Sequence, residues 1–157
     1  MPEGAKIKNR FRSRSDHTLD GKGRLNFPSR FRDVLSQYES EVLMVAPWGR
    51  THLRAFPIPE WESFENTLMT DGRKQKGMAR LMRYIVGSVA ECPLDKQGRI
   101  LLPQHLRVEA NLQKEIVLVG MLSHVEIWDK DLWAEENQAT SEHFAEFDDQ
   151  FAEMGIF

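Results

Sequence analysis

The stretch LDGKGRLNFPSRFR, residues 19–32, returns 75 positions later as LDKQGRILLPQHLR, residues 94–107. Asp20 and Asp95, Gly23 and Gly98, Arg24 and Arg99, Pro28 and Pro103, and Arg32 and Arg107 all recur at that one spacing. The likeness continues with small gaps. Residues 41–45 align with 115–119 at an offset of 74, residues 53–56 align with 125–128 at 72, and Trp61 falls opposite Trp133. A unit of roughly 45–50 residues is too small to bury a good core by itself. The two copies are therefore expected to pack on each other as a pseudo-symmetric pair.

Each copy reads as the same run of elements. Residues 17–19 suit a short strand, and Asp20-Gly21-Lys22-Gly23 has the Gly and Asp that tight turns need. Residues 24–27 alternate polar and apolar as a returning strand. Pro28 then opens a short helix over 29–35, where its missing N–H costs nothing. Apolar strands follow at 42–46 and 53–56. The second copy predicts strands at 91–94, 99–102, 115–119 and 125–128, with a helix from Pro103. Between the copies, Trp61, Phe64 and Leu68 lie on one face of a helix that Asp71-Gly72 breaks. Met78, Leu81, Met82, Ile85 and Val86 predict a second amphipathic helix. Beyond residue 129 one more helix is expected, reaching to about Phe151.

The domain boundaries implied are a basic N-terminal extension at 1–13, repeat 1 at 14–61, a helical linker at 62–89, repeat 2 at 90–133 and an acidic tail at 134–157. Charge follows this division. Residues 1–34 hold nine Lys or Arg against four acids, including Lys6, Lys8 and Arg10 ahead of the first motif. Residues 134–157 hold seven acids and no Lys or Arg. Such polarity suits a nucleic-acid-facing end and an acidic end. With 41% hydrophobic and 29% charged residues the chain reads as a soluble globular protein. No apolar run is long enough to span a bilayer, and no apolar region follows the basic start as a signal peptide requires. A single cysteine, Cys92, excludes an internal disulfide and suits a cytoplasmic protein.

No catalytic set emerges from the residues, so the chain is read as a non-enzyme. Ser15-Asp16-His17 are neighbours in sequence, whereas triad members converge from separate places. The five histidines lack metal-ligand spacing, no metal or other cofactor is expected, and Cys92 reads as a buried structural thiol. GRKQKG, residues 72–77, has no phosphate-loop Lys-Ser/Thr pair. The Gly-flanked cations of the first turn carry more information. Lys22 and Arg24 can approach a nucleic-acid backbone closely, and Arg can grip guanine O6 and N7 with two hydrogen bonds. The alternative is that Asp20 and Arg24 clasp their own turn. The copies differ where binding would show: Lys22 becomes Gln97, and Arg12 and Arg14 align with Gly87 and Val89. The first copy, with Arg24, Lys22, Arg12 and Arg14, is thus the candidate DNA face. Asp20, Gly23, Pro28, Arg32, Asp95, Gly98, Arg99, Pro103 and Arg107 form the structural motif, with Arg32 and Arg107 bracing the ends of their own short helices.

FRSRSDHTLDGKGRLNFPSRFR, residues 11–32, resembles the opening of the MraZ family, which runs Phe-Arg-Gly, then His-Thr-Leu-Asp-x-Lys-Gly-Arg, then Pro-x-Arg-(Phe/Tyr)-Arg. LDKQGRILLP, KEIVLVG and EIWDKDLW extend the likeness to about Trp133. The chain departs from the pattern in its residues before Phe11, in Ser13 for the usual Gly and in Ser15 for the usual aromatic. The resemblance implies an α+β, mainly β fold: tandem SpoVT-AbrB-like repeats forming a pseudo-symmetric swapped-hairpin, double-ψ-type barrel with flanking helices. It also implies a bacterial transcriptional regulator, usually a repressor. Such a protein would act in the nucleoid as a ring-shaped homo-oligomer on double-stranded DNA, with no membrane or small-molecule substrate. Its sites would be G-rich direct repeats in its own promoter, within the division and cell-wall gene cluster, bound through Arg12 and Arg24 with Lys22 and Arg14 beside them. The alternative is a protein-interaction module of the antitoxin type. Two copies in one chain and an aromatic-bearing tail count against it.

Overall fold

The computed structural model describes residues 9–156. Lys6 and Lys8, with most of the expected 1–13 extension, lie outside the described residues. The first copy folds as β1 (Arg14–Thr18), β2 (Arg24–Asn26), α1 (Ser29–Ser36), β3 (Val42–Trp48) and β4 (His52–Pro57). Two helices follow, α2 (Ile58–Thr70) and α3 (Met78–Ile85), with a 3-10 turn between them. The second copy is β5 (Ala90–Pro93), β6 (Arg99–Leu101), α4 (Gln104–Glu109), β7 (Glu115–Gly120) and β8 (Val125–Asp129). The chain continues as α5 (Lys130–Glu142) and α6 (Phe144–Glu153). The fold is α+β, with more strands than helices among the described residues.

The copies interlock by exchanging strands. One antiparallel sheet runs β1-β7-β8-β4-β3-β5, and β2 and β6 form a separate antiparallel ribbon. The first strand of each copy pairs with the third strand of the other, β1 on β7 and β5 on β3. Two pairings reveal the symmetry. Leu25 lies opposite its own counterpart Ile100, and Arg54 opposite its counterpart Glu126. A pseudo-two-fold axis therefore passes through both pairs.

The strand registers correct the repeat alignment by one residue. Thr18 pairs with Glu115 and its counterpart Pro93 pairs with Val42, which sets β3 against β7 at an offset of 73, not 74. Burial agrees: Leu43 and Val45 enter the main core, as do Ile116 and Leu118. A slip of one residue would turn each strand inside out. The apolar residues of both copies make one shared core, centred on Leu25, Phe27, Phe31, Ile100, Leu102 and Leu106. Phe11, fully buried, sets its ring edge-on to Phe27 and Phe31 at 6.4 and 5.7 Å. It reaches them because Gly120, without a side chain, lets the Phe11-Arg12 backbone pass directly over it.

The motif residues tie the copies together. Gly23 and Gly98 adopt φ of +88° and +77° to close their turns. Each lies under an arginine of the opposite copy, Gly23 under Arg107 and Gly98 under Arg32. Nε of each arginine donates to the carbonyl that ends its own copy's second strand, Arg32 to Phe27 at 3.1 Å and Arg107 to Leu102 at 3.0 Å. Arg32 sits in the middle of α1 and braces the opposite turn, not its own helix end, whereas Arg107 lies in the last turn of α4 and braces the opposite turn as well. Pro28 and Pro103 cap the following helices in extended conformation and stand one place before the first helical residue.

Outside the core, α2 and α3 cover β3 and β4. Trp61 and Ile85 pack on Ala46 and Phe56, with Phe64 half-buried beside them. The expected tail helix is two helices meeting at His143. α5 sets Leu132 and Trp133 against Val117, Val119 and Trp128, while α6 buries no residue.

Two substitutions separate constrained from free backbone. Gly98→Ala should destabilise the protein by about 1–3 kcal/mol in urea unfolding, through its left-handed φ and its collision with Arg32. Gly21→Ala, with open space around it, should change stability by less than about 0.5 kcal/mol. Ser13 stands at φ +74° where glycine is favoured, so Ser13→Gly should gain roughly 0.5–1 kcal/mol.

Candidate nucleic-acid interface

The first turn is organised by one carboxylate. Asp20 Oδ1 accepts from the backbone N–H of Lys22 and of Arg24, both at 2.9 Å, and Oδ2 takes Nε of Arg24. The Arg24 backbone N–H is the main cause holding the Asp20 carboxyl down to about 2, with the guanidinium and the Lys22 N–H adding to it. The guanidinium is thus held through Nε on a side chain 35% exposed. Lys22 is exposed, and its ammonium has no hydrogen bond or ion pair among the described residues. The second turn repeats the clasp. Asp95 accepts from the N–H of Gln97 and Arg99 and from Arg99 Nε, each at 2.9 Å, and its carboxyl is likewise lowered. The clasp and an outward cation are compatible uses of one arginine.

The four candidate DNA-contacting residues fall into two groups. Lys22 and Arg24 share the turn. Arg12 and Arg14 lie at the far end of β1, on the order of 20 Å away by strand rise. Arg12 is exposed where the chain crosses Gly120. Arg14 lies over the Trp133 ring at 5.6 Å, and its backbone carbonyl accepts from Arg30. Arg14 and Trp133 also line an open groove of about 390 Å³ between β1 and α5, with Asp16 and Lys130.

A buried polar cluster at the pseudo-axis had no signature in the sequence. Glu126 Oε2 stands 3.2 Å from His52 Nε2 and 3.7 Å from Arg54 Nε, and Oε1 accepts from Trp128 Nε1 at 3.0 Å. Burial pushes the Glu126 carboxyl up, but the hydrogen bonds from His52 and Trp128 outweigh it and the net shift is downward. The His52 ring stacks on Trp128 at 4.5 Å, and Arg54 lies over Trp48 at 4.1 Å. His124 stacks on Phe56, its Nε2 is buried without a hydrogen-bond partner, and burial beside Arg54 lowers it to about 4. The cluster draws on two short segments, one around β4 from Trp48 to Phe56 and one at β8, that are far apart along the chain and meet through the β4–β8 pairing.

Ser15 and His17 do meet, at 2.6 Å, because alternate residues of a strand share a face. Asp16 faces the other side, so the three do not converge. Cys92 is buried, which raises its thiol to about 11. Among the described residues no His, Cys, Asp and Glu group could hold a metal, and no helix is long and apolar enough to cross a membrane.

Residues 85–154 match the family model described as "MraZ protein, putative antitoxin-like". The chain is similar to the transcriptional regulator MraZ of Syntrophobacter fumaroxidans, 43% identical over 123 residues, 78% of this chain and 81% of that protein. It is 40% identical over 148 residues to the protein of that name in Desulforapulum autotrophicum, covering 93% and 99% of the two chains. For the Thioalkalivibrio sulfidiphilus protein of that name the identity is 41% over 139 residues, with 88% and 91% covered.

The axial cluster sets an acid limit on stability. Unfolded, His124 takes a proton near its ordinary value; folded, it does so only near pH 4. Stability should hold above about pH 6.5 and decline as pH falls toward 4, by a fraction of the roughly 1.4 kcal/mol per pH unit of a fully shielded group. In urea titrations at stepped pH, His124→Phe should flatten that decline. An unchanged slope would assign it to another group.

Proposed function

The chain belongs to the MraZ family, and on that premise we propose that it regulates transcription by binding double-stranded DNA, with Arg24 and Lys22 of the first turn as its principal contacts. The observation that supports this most is the Asp20 clasp. It holds the Arg24 guanidinium through Nε before any ligand arrives, on a part-exposed side chain beside an exposed lysine that has no partner among the described residues. A preset arginine loses little freedom on gripping a guanine edge or phosphate. Arg12 and Arg14, a strand length away, would contact backbone phosphates and set orientation.

The finer reading goes further. Exchange of β1 and β5 between the copies is the pairing a swapped-hairpin barrel requires, and we take the double-ψ type as its closed form. The operator would be a set of G-rich direct repeats in the protein's own promoter, within the division and cell-wall gene cluster. Repression in the nucleoid would follow from occupying that promoter. A ring-shaped homo-oligomer would present several turns at once, so that individually weak contacts multiply through effective concentration.

Fluorescence anisotropy on a duplex from the protein's own upstream region tests the core of this. Wild type should prefer that duplex to scrambled DNA. Arg24→Ala, still folded by thermal melting, should weaken binding by at least about tenfold. Lys22→Gln should weaken binding to both duplexes alike and reduce the slope of log affinity against log salt by about 1. Equal binding of both duplexes by wild type would contradict the proposal.

A further inference from the structure

The β2–β6 ribbon carries more than its two arginines. Leu25 and Ile100 pair face to face and are fully buried. Strand alternation therefore turns Arg24, Asn26, Arg99 and Leu101 together onto the opposite, outer face. The register sets Arg24 opposite Leu101 and Asn26 opposite Arg99. The result is a four-cornered patch with arginines on one diagonal and an amide and a leucine on the other. The fold makes little use of that second diagonal. Asn26 is exposed, and its side chain has no hydrogen bond among the described residues. Leu101 is 56% exposed and joins no hydrophobic cluster, although its neighbours Ile100 and Leu102 are buried.

Shape and charge match one occupant. Strands about 4.8 Å apart, with side chains, make a ridge roughly 10 Å wide, and the major groove of B-DNA, about 12 Å wide, admits a two-stranded ribbon. Arg24 and Arg99, each clasped by its own aspartate, bring fixed cations to that ridge. Between them, an amide of the Asn type pairs bidentately with adenine N6 and N7, and an apolar side chain meets the thymine methyl. We infer that Asn26 and Leu101 are base-discriminating residues of this ridge, Asn26 for adenine and Leu101 for the methyl of thymine. The inference rests on the DNA-binding reading above. It also gives the second copy a share in reading, through Leu101, where the sequence suggested only a scaffold.

The test uses the same upstream duplex, with each thymine in turn replaced by uracil and each adenine by 7-deazaadenine. Wild type should lose about 3- to 10-fold in affinity at particular uracil positions, and about 5-fold or more at particular 7-deazaadenine positions. Leu101→Ala should be indifferent to the former and Asn26→Ala to the latter, both keeping the wild-type melting temperature and salt slope. If wild type prefers the duplex but ignores every replaced base, the inference is wrong and the DNA reading stands. The same holds if the two variants keep the full wild-type sensitivity while Arg24→Ala loses binding. A wild type that does not distinguish the duplex from scrambled DNA overturns both.

Discussion

Each copy of the repeat places an arginine across the other copy's glycine turn. Arg107 over Gly23 and Arg32 over Gly98 are reciprocal contacts, and the rest of the molecule is arranged about them. A side chain on either glycine would strike the guanidinium, and a non-glycine residue would resist the positive φ. The same two arginines hold the carbonyls of Phe27 and Leu102, where ribbon becomes helix. Turn, ribbon and helix of both copies are thereby fixed in one operation. In the same interlocked arrangement β1 pairs with β7 and β5 with β3, within one six-stranded sheet.

This construction places the ribbon proposed for recognition at the pseudo-symmetry axis. The ribbon is the place where the copies meet most directly, Leu25 against Ile100, and its outer face collects residues from both. Rigidity there comes from the fold, through the Asp20 and Asp95 clasps, and does not have to be created on binding. Polarity comes from divergence of the copies, since exposed Lys22 stands on one turn and exposed, neutral Gln97 on the other. A pseudo-symmetric ridge with one more positive end has a direction, which the proposed binding to direct repeats would use.

Much of this was legible in the sequence because the repeat is its own internal comparison. The strand and helix order of both copies followed from periodicity and turn residues, and on α2 Trp61 and Phe64 do pack on the sheet, with Leu68 buried further along the same helix. Three things were hidden, each for a physical reason. The offset of β3 against β7 differs by one from the sequence alignment because apolar runs such as residues 42–46 look alike at either register, and only pairing decides which face is inward. The cluster of His52, Arg54, Glu126 and Trp128 joins residues far apart in the chain, so no spacing announces it. Asn26 and Leu101 belong to no motif, and the shared face on which they are proposed to read bases exists only once the ribbon is paired.

Hydrogen exchange of the backbone amides, with and without the upstream duplex, tests the central claim most directly. The account predicts that DNA slows exchange in residues 20–26 and 96–101, on the two turns and their ribbon, and leaves α5 and α6 unchanged. Protection centred on the C-terminal helices, with the ribbon unaffected, would contradict it.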